Sequence, residues 1–180
     1  MSGSPYHAVS YLIGTLFDLY VSAILLRVLL QWVRADFYNP ICQFLVRVTN
    51  PVIIPFRRLI PSIGPLDTAS IVVMLLLEAI GVFLIIALGA AAMSPLQIIV
   101  YAAIKLLMML LITYFLLIIV SVILSWLGGR ARHPIVPLVY QLTEPILRPI
   151  RKVIPPIAGI DLSPLFALIA IRFLMLLLGW

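Results

Sequence analysis

The chain has 180 residues, 64% of them hydrophobic and only 10% charged, against about 45–50% and about 25% in an ordinary soluble domain. That balance excludes a conventional water-soluble surface. It also makes the location of the charges behind the formal net +6 more informative than their sum, because membrane proteins gather Lys and Arg in cytoplasmic loops.

In chain order, MSGSPYHAV carries no Lys or Arg, and the apolar run behind it exceeds the roughly 7–15 residues of a signal-peptide core, so it reads as a retained transmembrane helix. Residues 10–33 match the roughly 20 residues that cross about 30 Å of hydrocarbon. Asp18 and Arg27 interrupt this span, and Trp32 stands near its end as an interfacial anchor. A proline-rich basic segment, 39–66, follows. Residues 68–93 form a second span broken only by Glu78, with Asp67 placed to cap its first turn. Ser94-Pro95-Leu96-Gln97 fits a capping box with Pro at the first helical position. It opens a third span, 96–127, in which Lys105 is the sole charge and which Gly128-Gly129 is expected to end. A second proline-rich segment occupies 133–160. The last span, 162–180, contains Arg172; Asp161 precedes it and Pro164 lies in its first turn, where a missing N–H is tolerated.

The two proline-rich segments share a pattern. A constant shift of 94 positions brings Pro40 onto Pro134, Thr49 onto Thr143, Pro51 onto Pro145, Pro55 onto Pro149, Arg57 onto Arg151, Arg58 onto Lys152, Pro61 onto Pro155 and Asp67 onto Asp161, with no gap. Tyr20 and Tyr114, and Trp32 and Trp126, obey the same shift, so the likeness extends into the preceding helix. The expected fold is therefore an all-α membrane protein of two tandem repeats, 1–93 and 94–180. Each repeat is a transmembrane helix, proline-rich interfacial amphipathic helices and a second transmembrane helix, four crossings in total. Arg34, Arg47, Arg57 and Arg58 lie in the first segment and Arg130, Arg132, Arg148, Arg151 and Lys152 in the second; none precedes the first helix or joins the second to the third. The positive-inside rule then places both segments in the cytoplasm and both termini outside. An even number of crossings per repeat makes the repeats parallel, which disfavours an inverted-repeat transporter design.

Prolines at 40, 51, 55, 61 and 65 argue against one continuous helix, since an interior Pro removes a hydrogen bond and clashes with the preceding turn. Two short helices, 41–49 and 51–60, are expected instead, the second capped by Asn50 with Pro51 at its first position. Such helices are too short to cross and too apolar for water. The membrane interface suits them, with anionic lipid meeting the guanidinium groups; full re-entry is disfavoured because irregular backbone at that depth must be buried in protein. No aromatic stacking platform accompanies the basic residues, so direct nucleic-acid binding is not expected.

Asp18, Arg27, Glu78, Lys105 and Arg172 lie within predicted spans, where a charge costs from about 2.5 to more than 10 kcal/mol, so each should be paired or wet. Depth counted from the helix ends favours Glu78 with Arg27, Arg172 or both, and Asp18 with Lys105. Ion pairs that fix helix register are preferred over a conduction path. Four crossings leave little aqueous room, and Glu78 meets Arg172, not another acid, under the shift. Gly81, Gly89 and Ala90 to Ala92 suggest a close helix contact. His7 and His133 fall on opposite sides of the membrane, and Cys42 is the only cysteine, so neither a disulfide nor a metal site is expected. No G-x-S-x-G, phosphate loop or HExxH is present, and no cofactor is implied.

The duplicated pattern NP…T-x-P-x-x-x-P-x-R-[RK]-x-I-P…D between hydrophobic helices resembles the YggT family of small bacterial membrane proteins, also called the YlmG family in Gram-positive bacteria and plastids. The resemblance spans nearly the whole chain; Gly128-Gly129, Pro137 and Pro156 are departures confined to the second copy. It implies association with osmotic tolerance and potassium uptake, with division-gene neighbourhoods, and with nucleoid distribution or photosynthetic-complex assembly in plastid lineages. It supplies no catalytic residue. The expectation is a non-enzymatic protein of the bacterial inner membrane that organises or assists membrane complexes through its cytoplasmic interfacial segments, partnered by another membrane protein or by copies of itself. An oligomeric ion-transport component is the alternative.

Overall fold

Backbone amides in an apolar chain find partners most readily in one another, which favours helices throughout. The structure, a computed structural model, describes residues 5–64, 66–89, 92–126, 133–156 and 161–179. These form α1 (Pro5–Trp32), α2 (Pro40–Arg57), α3 (Thr68–Leu88), α4 (Pro95–Trp126), α5 (Ile135–Val153) and α6 (Ser163–Leu177), with no strand among the described residues. Pro65, Ala90, Ala91, Gly128, Gly129, Arg130 and Arg132, singled out above, lie outside the described residues.

Helices α1, α3 and α4 are each long and apolar enough to cross a membrane. Helix α6 is apolar but has 15 residues, about 22 Å at 1.5 Å per residue, against about 30 Å of hydrocarbon. The helix ends follow from local chemistry. At the end of α1, Arg34 adopts a left-handed φ of 54°. Its N–H donates to Gln31 O at 3.1 Å and that of Ala35 to Leu30 O at 2.9 Å, a Schellman closure built on arginine where glycine is usual. Ser94 and Gln97 form the expected reciprocal capping box: Ser94 N–H donates to Gln97 Oε1 at 2.8 Å and Gln97 N–H to Ser94 Oγ at 3.3 Å. Helix α3 ends at Leu88, five residues before the predicted limit, where the Gly89 N–H donates to Ile85 O and Ile86 O.

The proline-rich segments depart from expectation. Each forms one long helix where two short ones were predicted, with Pro51 and Pro55 inside α2 and Pro145 and Pro149 inside α5. Asn50 therefore caps nothing at a helix start; Asn39 does, its Oδ1 accepting from the Ile41 N–H at 2.9 Å. The reason lies in the four-residue spacing, which stacks the prolines on one side. Pro51 and Pro55 are exposed, opposite the buried Cys42, Leu45, Thr49 and Ile53; Pro145 and Pro149 are exposed, opposite the buried Leu138, Leu142, Thr143 and Leu147. A helix that bends away from its exposed side relieves the proline clash there and leaves the carbonyls without N–H partners open to solvation.

The chain divides into two compact units, Met1–Val28 with Phe44–Leu107, and Leu29–Gln43 with Met108–Trp180. In the first, the buried stripe of α3 runs through Ala69, Val73, Met74, Glu78, Gly81 and Val82. Gly81 faces the Phe17 ring of α1, whose nearest carbon would lie 3.1 Å from an added Cβ, so the absence of a side chain admits the aromatic. Gly89 faces the Tyr6 hydroxyl in the same way, and that hydroxyl donates to Ile85 O at 3.3 Å. In the second, α5 packs against α6, whose buried residues Ser163, Ala167, Ile171 and Met175 recur every fourth position.

Candidate functional site

The polar side chains collect at three places. The first joins the end of α2 to the start of α3. Asp67, 1% exposed, caps α3 by accepting from the Ser70 N–H at 3.3 Å and the Ser70 hydroxyl at 2.5 Å. Its other bonds come from Arg57, through Nε at 3.2 Å and through Nη2. Burial pushes the Asp67 carboxyl up, but the Arg57 and Ser70 hydrogen bonds outweigh it and hold the group below its ordinary value. The turn between the helices is tied by the Thr68 hydroxyl, which donates to Pro61 O at 2.6 Å, and by Gly64, whose φ of 59° suits glycine. Deeper in the same unit, Arg27, 4% exposed, donates to Thr49 Oγ1 at 2.6 Å. Thr49 passes its own proton back to Leu45 O at 2.6 Å, so its oxygen is an acceptor aimed at α1. Tyr20, one face above, donates to Val48 O at 3.2 Å.

The second place joins α5 to α6. Arg151 Nε donates to Asp161 Oδ2 at 2.8 Å, and Arg151 Nη1 meets Glu144 Oε2 at 3.1 Å. Asp161 does not repeat the capping geometry of Asp67. Helix α6 begins one residue later than expected, at Ser163, and Asp161 accepts from that residue's N–H at 2.9 Å and hydroxyl at 2.6 Å. The cause is Pro164, which stands where the first copy has Ser70, the capped donor. Burial again pushes the Asp161 carboxyl up, and the Ser163 and Arg151 bonds more than reverse it. Thr143 is buried and donates to Val139 O at 2.9 Å. A cavity of about 380 Å³ opens beside these residues, lined among others by Ser121, Thr143, Glu144, Arg151 and Asp161.

The third place is within the spans of the first unit. Lys105 bridges Asp18, which it contacts closely, and Glu78, at 2.8 Å. Asp18 thus meets Lys105 as expected. The preferred pairing of Glu78 with Arg27 is overturned, since Arg27 donates to Thr49 and Lys105 takes Glu78; Arg172, on α6 of the other unit, is exposed. Counting along the helices explains the result. Glu78 lies ten residues before the end of α3 and Lys105 ten after the start of α4, so two antiparallel neighbours bring them to one level.

The remaining motif residues take simpler places. Pro40 opens α2 and Pro134 caps α5; Arg58, Pro61, Lys152 and Pro155 are exposed at or beyond the helix ends. Sequence reasoning passed over Asn39, Ser70, Glu144 and Ser163. Asn39 and Ser70 carried a signal, an Asn directly before a Pro-initiated helix and a hydroxyl three residues after a capping Asp. Among the described residues no group of three or more His, Cys, Asp or Glu side chains gathers to hold a metal ion.

The arrangement can hold helix ends, fix register and present a basic, proline-studded face. An uncharacterized protein in the proC 3' region of Vibrio alginolyticus is 40% identical over 176 residues, covering 96% of this chain and 94% of that relative. The uncharacterized protein YggT of Escherichia coli K12 is 37% identical over 159 residues, 88% of this chain and 82% of its own length. An uncharacterized protein of Haemophilus influenzae is 32% identical over 163 residues, 90% of this chain and 86% of its own. No solved structure shows significant similarity. The CCB3/YggT family model matches residues 6–88 and again residues 100–180, and the chain belongs to that family.

Proposed function

We propose that this chain is a non-enzymatic protein of the bacterial cytoplasmic membrane that organises or assists membrane complexes through α2 and α5. In this reading α6 is the fourth crossing, short enough to require local thinning or flanking residues. The two repeats run parallel, and both termini lie outside. The observation that carries the proposal is the build of α2 and α5. Each buries a Thr-centred apolar face and turns outward a face of prolines and cations, Arg47 and Arg58 on one, Arg148 and Lys152 on the other. Interior prolines lock the backbone, so a partner or an anionic lipid surface would meet a helix that pays little ordering entropy on contact. The mid-span charges support a structural role, since Lys105 ties together Asp18 and Glu78, the two mid-span carboxylates of its unit.

Photo-crosslinkers placed at Arg58 and Arg148 in native membranes test the reading. Discrete protein adducts shared by the two positions are expected. Lipid adducts alone would overturn it.

A further inference from the structure

The cavity between α4, α5 and α6 has a counterpart in the first copy. Subtracting 94 from five of its polar lining residues, Ser121, Thr143, Glu144, Arg151 and Asp161, gives Arg27, Thr49, Asn50, Arg57 and Asp67, all in the other compact unit. There the guanidinium of Arg27 is buried and donates to Thr49 Oγ1 at 2.6 Å. Ser121 cannot do the same for Thr143. Its hydroxyl is turned to its own helix, donating to Ile118 O at 2.7 Å.

Three consequences point the same way. Thr143 spends its proton on Val139 O, as Thr49 does on Leu45 O, so what it presents is an acceptor, and no described residue donates to it. Asn50 is replaced by Glu144, which changes two guanidinium groups against one carboxylate into one against two. Tyr114, seven residues before Ser121 on α4 and outside the cavity lining, is buried with no hydrogen-bond partner among the described residues, whereas its counterpart Tyr20 donates to Val48 O. The second copy has thus lost a buried cation while keeping the acceptor and adding an acid, whose two oxygens share the single Arg151 Nη1 at 3.3 and 3.1 Å.

We propose that this cavity binds a small free cation bearing a guanidinium group, seated where Arg27 sits in the first copy and donating to Thr143 Oγ1 and the Glu144 carboxylate. A planar, donor-only head suits a lining whose two carboxylates, Glu144 and Asp161, face one cation, Arg151, and charge-assisted bonds to a carboxylate supply the strength. A volume of about 380 Å³ is ample for such a head and a short tail. This goes beyond the scaffold role and does not depend on it.

The test uses the full-length protein in nanodiscs with agmatine as probe and putrescine as its guanidinium-free control. Agmatine should bind saturably at one site, about tenfold or more tighter than putrescine. Ser121→Arg should abolish that binding while raising thermal stability, by refilling the site internally. Glu144→Gln, a milder change that guards against misfolding of the first variant, should weaken binding about tenfold or more. No saturable agmatine binding up to about 10 mM would overturn the proposal, as would equal binding of putrescine or affinity untouched by Glu144→Gln.

Discussion

Replacing Lys105 by Met removes one cation from between two carboxylates and probes the internal electrostatics most directly. Glu78 is 0% exposed and has Lys105 Nζ at 2.8 Å as its ion-pair partner; Asp18, with its side chain 42% exposed, is far less dependent on the same lysine. Removing one member of a buried pair leaves an uncompensated charge at a cost of about 3–5 kcal/mol, whereas exchanging the whole pair for well-packed neutral groups is often neutral. The single variant should therefore lose about 3–5 kcal/mol, nearly all through Glu78. The double variant Lys105→Met, Glu78→Gln should regain most of it. Asp18→Asn alone should cost well under half as much, because the exposed carboxyl retains other solvation. Reversible unfolding in mixed micelles, titrated with denaturing detergent, measures all four proteins. A single variant within about 1 kcal/mol of the parent, or a double variant no better than the single, would refute the pairing of Glu78 with Lys105.

Other consequences are open to similar measurement. Asp67→Asn should cost about 1–3 kcal/mol by loosening Arg57. Because the folded carboxyl is held below its ordinary value, the stability it contributes is present above the unfolded pKa of about 3.9 and is lost as pH falls through the folded pKa. The parent's melting temperature should accordingly drop in that acid window and the Asn variant's should drop less. Gly81→Val forces a side chain into the Phe17 ring and should cost about 1–3 kcal/mol, part of which Phe17→Leu restores in the double variant; a neutral Gly81→Val would mean the helices part freely. Arg27→Met leaves the buried Thr49 oxygen without its donor and should cost about 1–3 kcal/mol, whereas Arg58→Met, at an exposed helix end, should stay within about 0.5 kcal/mol.

Hydropathy and capping chemistry located α1, α3, α4 and α6 in the sequence, because those signals depend on a few adjacent residues. The Ser94–Gln97 box is local in this sense, and it forms as written. Prolines 51 and 55 misled because the rule that an interior Pro breaks a helix is stated for one residue in isolation. The outcome depends on which face the residue occupies, and that face is set by tertiary burial of Leu45, Thr49 and Ile53. Glu78 misled differently. Depth along the helices sets Arg27 near it, but partner choice turns on Thr49, a neutral acceptor that takes the guanidinium. A charge count cannot see a hydroxyl competing for a cation.

The same competition explains why the two copies differ where they do. Their buried apolar faces correspond closely, Leu45 with Val139, Thr49 with Thr143, Ile53 with Leu147, all buried in both. Among the polar positions, the copies differ at 27 and 121 and at 50 and 144; of these, Arg27 donates to Thr49. Packing tolerates little change without loss of stability, so a duplicated scaffold retains it. Polar groups lining a gap are held less tightly, provided each buried acceptor still finds a donor. In the first copy that donor is built into the chain as Arg27. In the second, no described side chain donates to Thr143 and Glu144 stands beside it, which is the place that the proposed guanidinium ligand would fill.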